Sequence, residues 1–399
     1  MKKEKAIWLF AGGPMQAGAA IKIQEAGYKL IITDMNPDCA CAGYADELVE
    51  ADTFDINKNL KSSRTLSKKY SIKAVVTAAA DCHETVSRVG KSLGLHAIDP
   101  LISRSCRYKN FTRDLLKKAQ ILQPRFKSVK GLKEAREFIG ALGGRGALKA
   151  TNSSGSRGFS AIEHIEELTP EAFDSALSAG TTGNVLVEEL LSPLESEIAE
   201  LSVETVWSNG RMYWLNWVDR LFRKDFLLFK GLKGAYGDVP WGVELGHINP
   251  AVHRSETKEK IRDMIYRAGI AIGMGRERGG HILKADVMLT ADGAYLLELT
   301  PRLSGGWDSS GSTPARGADF TGGAIAMALN RRLDINMWHE YFEYKNPSLY
   351  ASVMARVEPD AKDCIGRRFA VGTGFEREAS IGAALKNLKR ENYVISVEQ

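Results

Sequence analysis

The sequence predicts a chain of several domains, an α/β unit followed by α+β units, and three observations carry that reading. The first third alternates short apolar runs with amphipathic stretches. A strand-like segment then runs straight into a polar glycine loop, Thr151–Gly158. Two hairpin patterns with glycine turns follow. The 399 residues allow two to four domains at about 100–200 residues each. Hydrophobic residues at 44% and charged residues at 26% exclude a disordered or fibrous chain. A net charge of +5, from 54 basic and 49 acidic residues, is too mild at this length to imply a nucleic-acid or membrane partner. Any charge argument is therefore local.

Taken in order, Ala6–Phe10 reads as a strand, Ala11–Ala17 as a glycine-bearing turn and Gly18–Ala26 as a helix. Lys29–Thr33 reads as a second strand closed by Asp34. The first apolar run is too short for a signal core and ends in that turn, so it is a strand and not a leader. No stretch approaches the ~18 apolar residues of a membrane span. A helix over Leu60–Tyr70, a strand over Ala74–Thr77 and a helix over Glu84–Leu93 continue the alternation, which predicts a parallel sheet. Tyr108–Gln120 is an amphipathic connector helix, ended by Gln123-Pro124.

The second unit opens with a helix at Leu132–Ala141, a strand at Gly146–Ala150 and a strand at Asn184–Glu189. Leu201–Trp207 and Arg211–Trp217 form a hairpin around Ser208-Asn209-Gly210. Leu221–Asn249 is aromatic and glycine-rich and reads as a substrate-facing segment rather than core. Glu256–Ile272 is a helix. Ala285–Leu289 and Ala294–Leu299 form a second hairpin, and the tail after Tyr350 reads as strands with a helix at Ile381–Leu388. The cysteines Cys39, Cys41, Cys82, Cys106 and Cys364 form no C-x-x-C pair and are odd in number. That predicts free thiols and, by default, a cytoplasmic setting.

Three motifs carry chemistry. Gly12, Gly13 and Gly18 with Asp34 suggest a dinucleotide site, but the spacing is not G-x-G-x-x-G and Pro14 interrupts the turn. A structural or substrate-side turn is the better reading. The second motif is Lys149 followed by Ser153, Ser154, Gly155, Ser156, Arg157 and Gly158. Small residues let backbone N–H groups wrap phosphate oxygens, and Lys149 adds a point charge. The third is the hairpin from Lys284 to Arg302. Asp286 starts one strand and Glu298 ends the next, so the carboxylates fall side by side among apolar residues. Such a pair prefers to share a hard cation such as Mg²⁺. Arg302 then suits an anionic substrate.

This order of motifs resembles the ATP-grasp superfamily over roughly residues 5–330, nearest its carbamoyl-phosphate-synthase-like and amino-acid-ligase branches. The resemblance implies a Rossmann-like pre-ATP-grasp domain followed by a two-lobed ATP-grasp fold. Residues 1–108 would be the first, 109–187 the linker helix and small lobe, 188–340 the large lobe, and 341–399 a strand-rich tail. Lys109 and Lys149 match lysines that bind ATP phosphates in the family, and Ser153–Gly158 matches the loop that closes over them. Val185–Leu191, with Glu188, Glu189, Leu190 and Leu191, resembles the hinge strand beside adenine. Glu200 matches an acid near the ribose, with Glu195 or Glu197 as alternatives. Asp286 and Glu298 match the metal carboxylates, and Thr300 stands where the family has Asn. Arg302, Gly305 and Gly306 match the substrate-side N-x-R-x-G-G segment, and Glu244–Pro250 with His247 resembles amino-acid-ligase members. Trp207, Trp214 and Trp217 are substrate-side candidates, with core packing as the better reading.

The resemblance implies an ATP-dependent carboxylate–amine ligase using ATP with Mg²⁺, or Mn²⁺ in its place. It implies small-molecule carboxylate and amine substrates and a homodimer. The competing readings are a bicarbonate-using ATP-grasp enzyme of the carboxylase or carbamoyl type and a non-catalytic ATP-binding protein, the latter motivated by Thr300. A nicotinamide oxidoreductase would rest on the first glycine turn alone.

Overall fold

The computed structural model describes residues 2–153, 155, 157–237, 239, 243–305, 307–356, 368–390 and 395–396. Strands β1 (Glu4–Phe10), β2 (Lys29–Asp34), β3 (Glu47–Glu50) and β4 (Tyr70–Val76) form a parallel sheet ordered β3-β2-β1-β4. β1 and β2 are apolar on both faces because both faces are covered. Ile7, Leu9, Leu30 and Ile32 pack on α1 (Ala17–Glu25) through Ala19, Ala20 and Ile23. Ala6, Trp8, Phe10 and Ile31 turn to the other face, toward Leu66 of α2 (Ile56–Lys69) and Val89 of α3 (His83–Ser92). Helix α2 begins before the expected Leu60 because Asp55 caps it, accepting from the Lys58 N–H at 2.9 Å.

The first glycine turn is structural. Asp34 accepts from the N–H groups of Gly12 (2.7 Å) and Asn36 (2.9 Å), which closes the turn. A Cβ on Gly12 would lie 2.2 Å from Cys39 Sγ, so the close approach requires glycine.

Helices α4 (Pro100–Arg107) and α5 (Lys109–Lys118) connect this sheet to the rest. Asp99 caps α4 and Pro100 opens it, a start signal that the sequence carries at this point. The small lobe is an antiparallel sheet ordered β5-β8-β6-β7, with β5 Phe126–Val129, β6 Gly146–Ala150, β7 Ser160–Ile162 and β8 Val185–Glu188. Val129, Leu148 and Val187 pack there with Ile139 of α6 (Leu132–Ala141) and Phe173 of α7 (Pro170–Ser178).

The largest sheet has eight strands, ordered β13-β12-β9-β10-β11-β14-β15-β16. They are β9 (Glu200–Ser208), β10 (Arg211–Leu221), β11 (Gly246–Asn249), β12 (Gly280–Thr290), β13 (Gly293–Thr300), β14 (Tyr350–Arg356), β15 (Arg368–Gly374) and β16 (Ile395–Ser396). Asn209 (φ 50°) and Gly210 (φ 78°) make the β9–β10 turn, both left-handed as a two-residue hairpin of this type needs. Strands after Tyr350 extend this sheet through β11.

One expectation changes here. Much of Leu221–Asn249 is core: Leu221, Phe226, Phe229, Val243, Leu245 and Ile248 are buried with Met354 and Ile381. The segment returns as β11 between β10 and β14, so its apolar side chains pack under the tail helix Arg377–Leu388. The three tryptophans are packing residues, the better of the two readings of their sequence. Trp207 is fully buried against Gly269 of α8 (Ser255–Ile272), where a Cβ would meet the indole at 2.2 Å. Trp214 and Trp217 lie under the Lys258 ammonium of α8. Cys39, Cys41, Cys82 and Cys106 are free and buried, and Cys364 lies outside the described residues. Among the described residues no helix is long and apolar enough to cross a membrane.

Candidate active site

A cleft of about 420 Å³ opens where the three sheets meet. Asp81 comes from the loop after β4, Lys109 from the start of α5, and Lys149 and Glu188 from the small lobe. Glu200, Asp286 and Glu298 come from the large sheet, and Arg302 follows β13. Ser153, Gly155, Arg157, Glu189, Leu190, Leu191, His247 and Gly305 also line it. Gly158 does not. Its φ of 69° and its fit against Ala179 place it at the loop base, packed on the end of α7. Ser154, Ser156 and Gly306 lie outside the described residues.

Register explains the acidic pair. Asp286 of β12 faces Glu298 of β13, with a bulge just beyond. Glu298 takes the Lys109 ammonium at 2.9 Å, and Lys109 also donates to the Ser153 carbonyl at 2.7 Å. Asp286 Oδ2 accepts from Lys284 at 2.7 Å, and Arg220 lies 3.8 Å away. Burial pushes both carboxyls toward neutrality. Lys284 and Arg220 at Asp286, and Lys109 at Glu298, outweigh it and hold both below their ordinary range. Asp286 Oδ1 is buried and has no hydrogen-bond partner. Two facing carboxylates, one with an orphaned oxygen, fit a hard divalent cation that needs few protein ligands. Among the described residues no group of three or more His, Cys, Asp or Glu could hold a metal. Thr300 faces Lys284 in register, is buried and does not line the cleft.

Glu188 sits in a buried triad. It accepts from Arg113 Nε at 2.5 Å and from Lys149 Nζ at 2.7 Å. Burial opposes its charge, but these two cations hold its pKa down to about 2. Arg113 also donates to the carbonyls of Leu296 and Leu297, so the triad joins α5, both lobes and the strand that carries Glu298. Glu189 instead pairs outward with Arg125.

A second chain of charges was not visible as a unit in the sequence. Arg220 grips Glu244 in a two-pronged pair at 2.6 and 3.0 Å and reaches Glu200 at 3.3 Å. Glu244 takes His247 Nε2 at 2.6 Å, and Asp308 takes His247 Nδ1 at 2.8 Å. Burial would lower the His247 pKa, but Asp308 and Glu244 raise it to about 10, so an imidazolium is held there at neutral pH. Glu200 is pushed up to about 7 by burial, despite Arg220. Of the three ribose-side candidates, Glu200 lines the cleft and Glu197 pairs with His253. Arg220 and Asp308 were missed because their partners lie 24 and 61 positions from them in sequence. The one local signal was an acid, Glu244, three residues before His247.

Residues 107–305 match the family model described as "Phosphoribosylglycinamide synthetase, ATP-grasp (A) domain". The chain belongs to the ATP-grasp superfamily. An L-amino acid ligase structure from Bacillus licheniformis superposes over 100% of both chains, with a TM-score of 0.72 and 14% identity. An ADP complex of N5-carboxyaminoimidazole ribonucleotide synthetase covers 97% of both chains, with a TM-score of 0.70 and 18% identity. Among curated proteins, "Uncharacterized protein y4rH" of Sinorhizobium fredii (strain NBRC 101917 / NGR234) is 24% identical over 73% of this chain. The chain spans only 56% of that relative's length. The ATP-grasp architecture explains the layout: a Rossmann-like sheet, a small antiparallel lobe and a large antiparallel sheet enclose one cleft.

Proposed function

We propose that this chain is an ATP-dependent carboxylate–amine ligase. The carrying observation is the convergence of Lys109, Lys149 and Arg302 with the facing pair Asp286 and Glu298 on one cleft. Lys109, Lys149 and the loop backbone at Ser153, Gly155 and Arg157 hold the triphosphate, with Leu190, Leu191 and Glu189 on the adenine side and Glu200 toward the ribose. Asp286 and Glu298 are the residues that would hold Mg²⁺, which when bound neutralises phosphate charge.

A carboxylate oxygen attacks the γ-phosphorus, the β–γ bridge breaks, and ADP leaves. The amine then attacks the acyl carbon and expels phosphate, leaving an amide. Arg302 holds the carboxylate and then the tetrahedral oxyanion, a role that needs a fixed donor. His247 spends both ring N–H groups on Glu244 and Asp308 and so fixes the cleft wall that carries Glu244 and Arg220. Catalysis of this kind is positioning and charge neutralisation. Release of ADP and phosphate across a panel of acids and amines tests the reading. ATP binding without carboxylate-dependent turnover would favour a nucleotide-binding protein, and stimulation by bicarbonate alone would favour the carboxylating alternative.

A further inference from the structure

Arg302 lines a second cavity as well as the cleft. This cavity, of about 120 Å³, lies between the N-terminal sheet and the large lobe. Val75, Val86, Ile98, Ile282, Leu303 and Ile325 give it a largely apolar wall, to which the His96 and His281 rings and three hydroxyl side chains add polar groups. His83 also lines it, is 5% exposed, and neither ring nitrogen has a hydrogen-bond partner. Buried polar groups are almost always paired, so an unpartnered imidazole on a cavity wall marks room for a guest. Burial pushes the His83 pKa down to about 4, which leaves a ring nitrogen free to accept at neutral pH. Two residues earlier, Asp81 lines the cleft and holds Arg302.

The chemistry of the guest follows from the wall. Among the described residues Arg302 is the one Lys or Arg on this wall, and in the reaction proposed above its guanidinium holds the acyl substrate's carboxylate, so a second carboxylate placed in the cavity would lack a cation of its own. At ~30 Å³ per water, the space equals about four waters. We infer that this cavity receives the aliphatic side chain of the amine nucleophile, about four carbons long, with His83 accepting a hydrogen bond from the amine. The inference rests on the ligase reading above.

The test is calorimetric titration of the protein, with ADP and Mg²⁺ present, against n-alkylamines from methylamine to hexylamine. Affinity is expected to rise about fourfold per methylene and to level off near butylamine. Ala324 lines the cavity, so Ala324→Leu is expected to flatten the series and Ala324→Val to give an intermediate slope. His83→Leu is expected to weaken every amine by a similar factor and to keep the slope. A flat series in the wild type overturns the inference. So does an unchanged slope in either Ala324 variant whose unfolding midpoint matches wild type. The ligase reading is judged separately, by carboxylate-dependent ADP release with hydroxylamine, which is too small to use the cavity. Loss of that signal with the alkylamine slope intact would sink the ligase reading and not the binding preference.

Discussion

Arg302 donates from both Nε and Nη2 to one oxygen of Asp81, at 2.8 and 2.6 Å. The contact ties the loop after β13 to the loop after β4, 221 positions away, and so fixes the proposed substrate arginine against the N-terminal sheet. Burial alone would weaken the guanidinium charge, and Asp81 more than restores it. Asp81→Asn is expected to cost about 1–3 kcal/mol of stability, as a largely buried donor loses its charged partner. Turnover is expected to fall roughly tenfold to a hundredfold as Arg302 loses its orientation. Unfolding curves and ADP release measure the two effects, and wild-type kinetics in Asp81→Asn would show that Asp81 does not set the arginine.

Glu188 answers to stability more than to chemistry. Its carboxylate is shared by Arg113 and Lys149 in the interior, so Glu188→Gln leaves two cations with a neutral partner. A loss of about 3–5 kcal/mol is expected. The folded pKa is depressed from 4.5 to about 2. The contribution is therefore present above pH 4.5 and is lost as pH falls toward 2. Wild type and Glu188→Gln should converge in denaturant stability over that acid window. A constant gap would mean that the triad does not carry the effect.

Glu298→Gln is expected to abolish magnesium-dependent turnover and to leave the fold intact. The fold survives because the amide keeps the shape of the side chain at the mouth of the cleft. The activity is lost because one of two facing carboxylates has gone and Lys109 has lost its counter-charge. Steady-state ADP release over a magnesium titration, with circular dichroism as the fold check, measures this. Wild-type activity would remove Glu298 from the metal assignment.

How far the sequence reached depended on range. Hairpin ends are set by local register, so Asp286 opposite Glu298 was readable from the strand lengths and the turn. Helix α6 and strand β6 were legible at both ends, since periodicity and glycine punctuation coincide there. The core role of Phe226, Phe229 and Leu245 was hidden because glycines and aromatics also mark binding loops, and only the insertion of β11 between β10 and β14 buries them. Arg220 and Asp308 look like any surface charges in a row of letters. Their meaning comes from strands that are adjacent in space and distant in the chain.

His247 offers the cleanest pH signature. Its ring is held between Asp308, which is fully buried, and Glu244, and Asp308 is steadied in turn by the hydroxyls of Ser304 and Ser312 at 2.7 and 2.9 Å. The folded pKa is raised from 6.5 to about 10. A raised basic pKa stabilises fully below the unfolded value and is lost as pH climbs through the folded one. The stability gap between wild type and His247→Gln should therefore be largest below pH 6.5, roughly 3–5 kcal/mol for a broken buried ion pair. It should shrink steadily as pH approaches 10. Thermal or urea unfolding of both proteins across that range measures the slope. A gap that widened with pH would mean that the ring is neutral in the folded protein, and its ion pairs with Glu244 and Asp308 would fall with it.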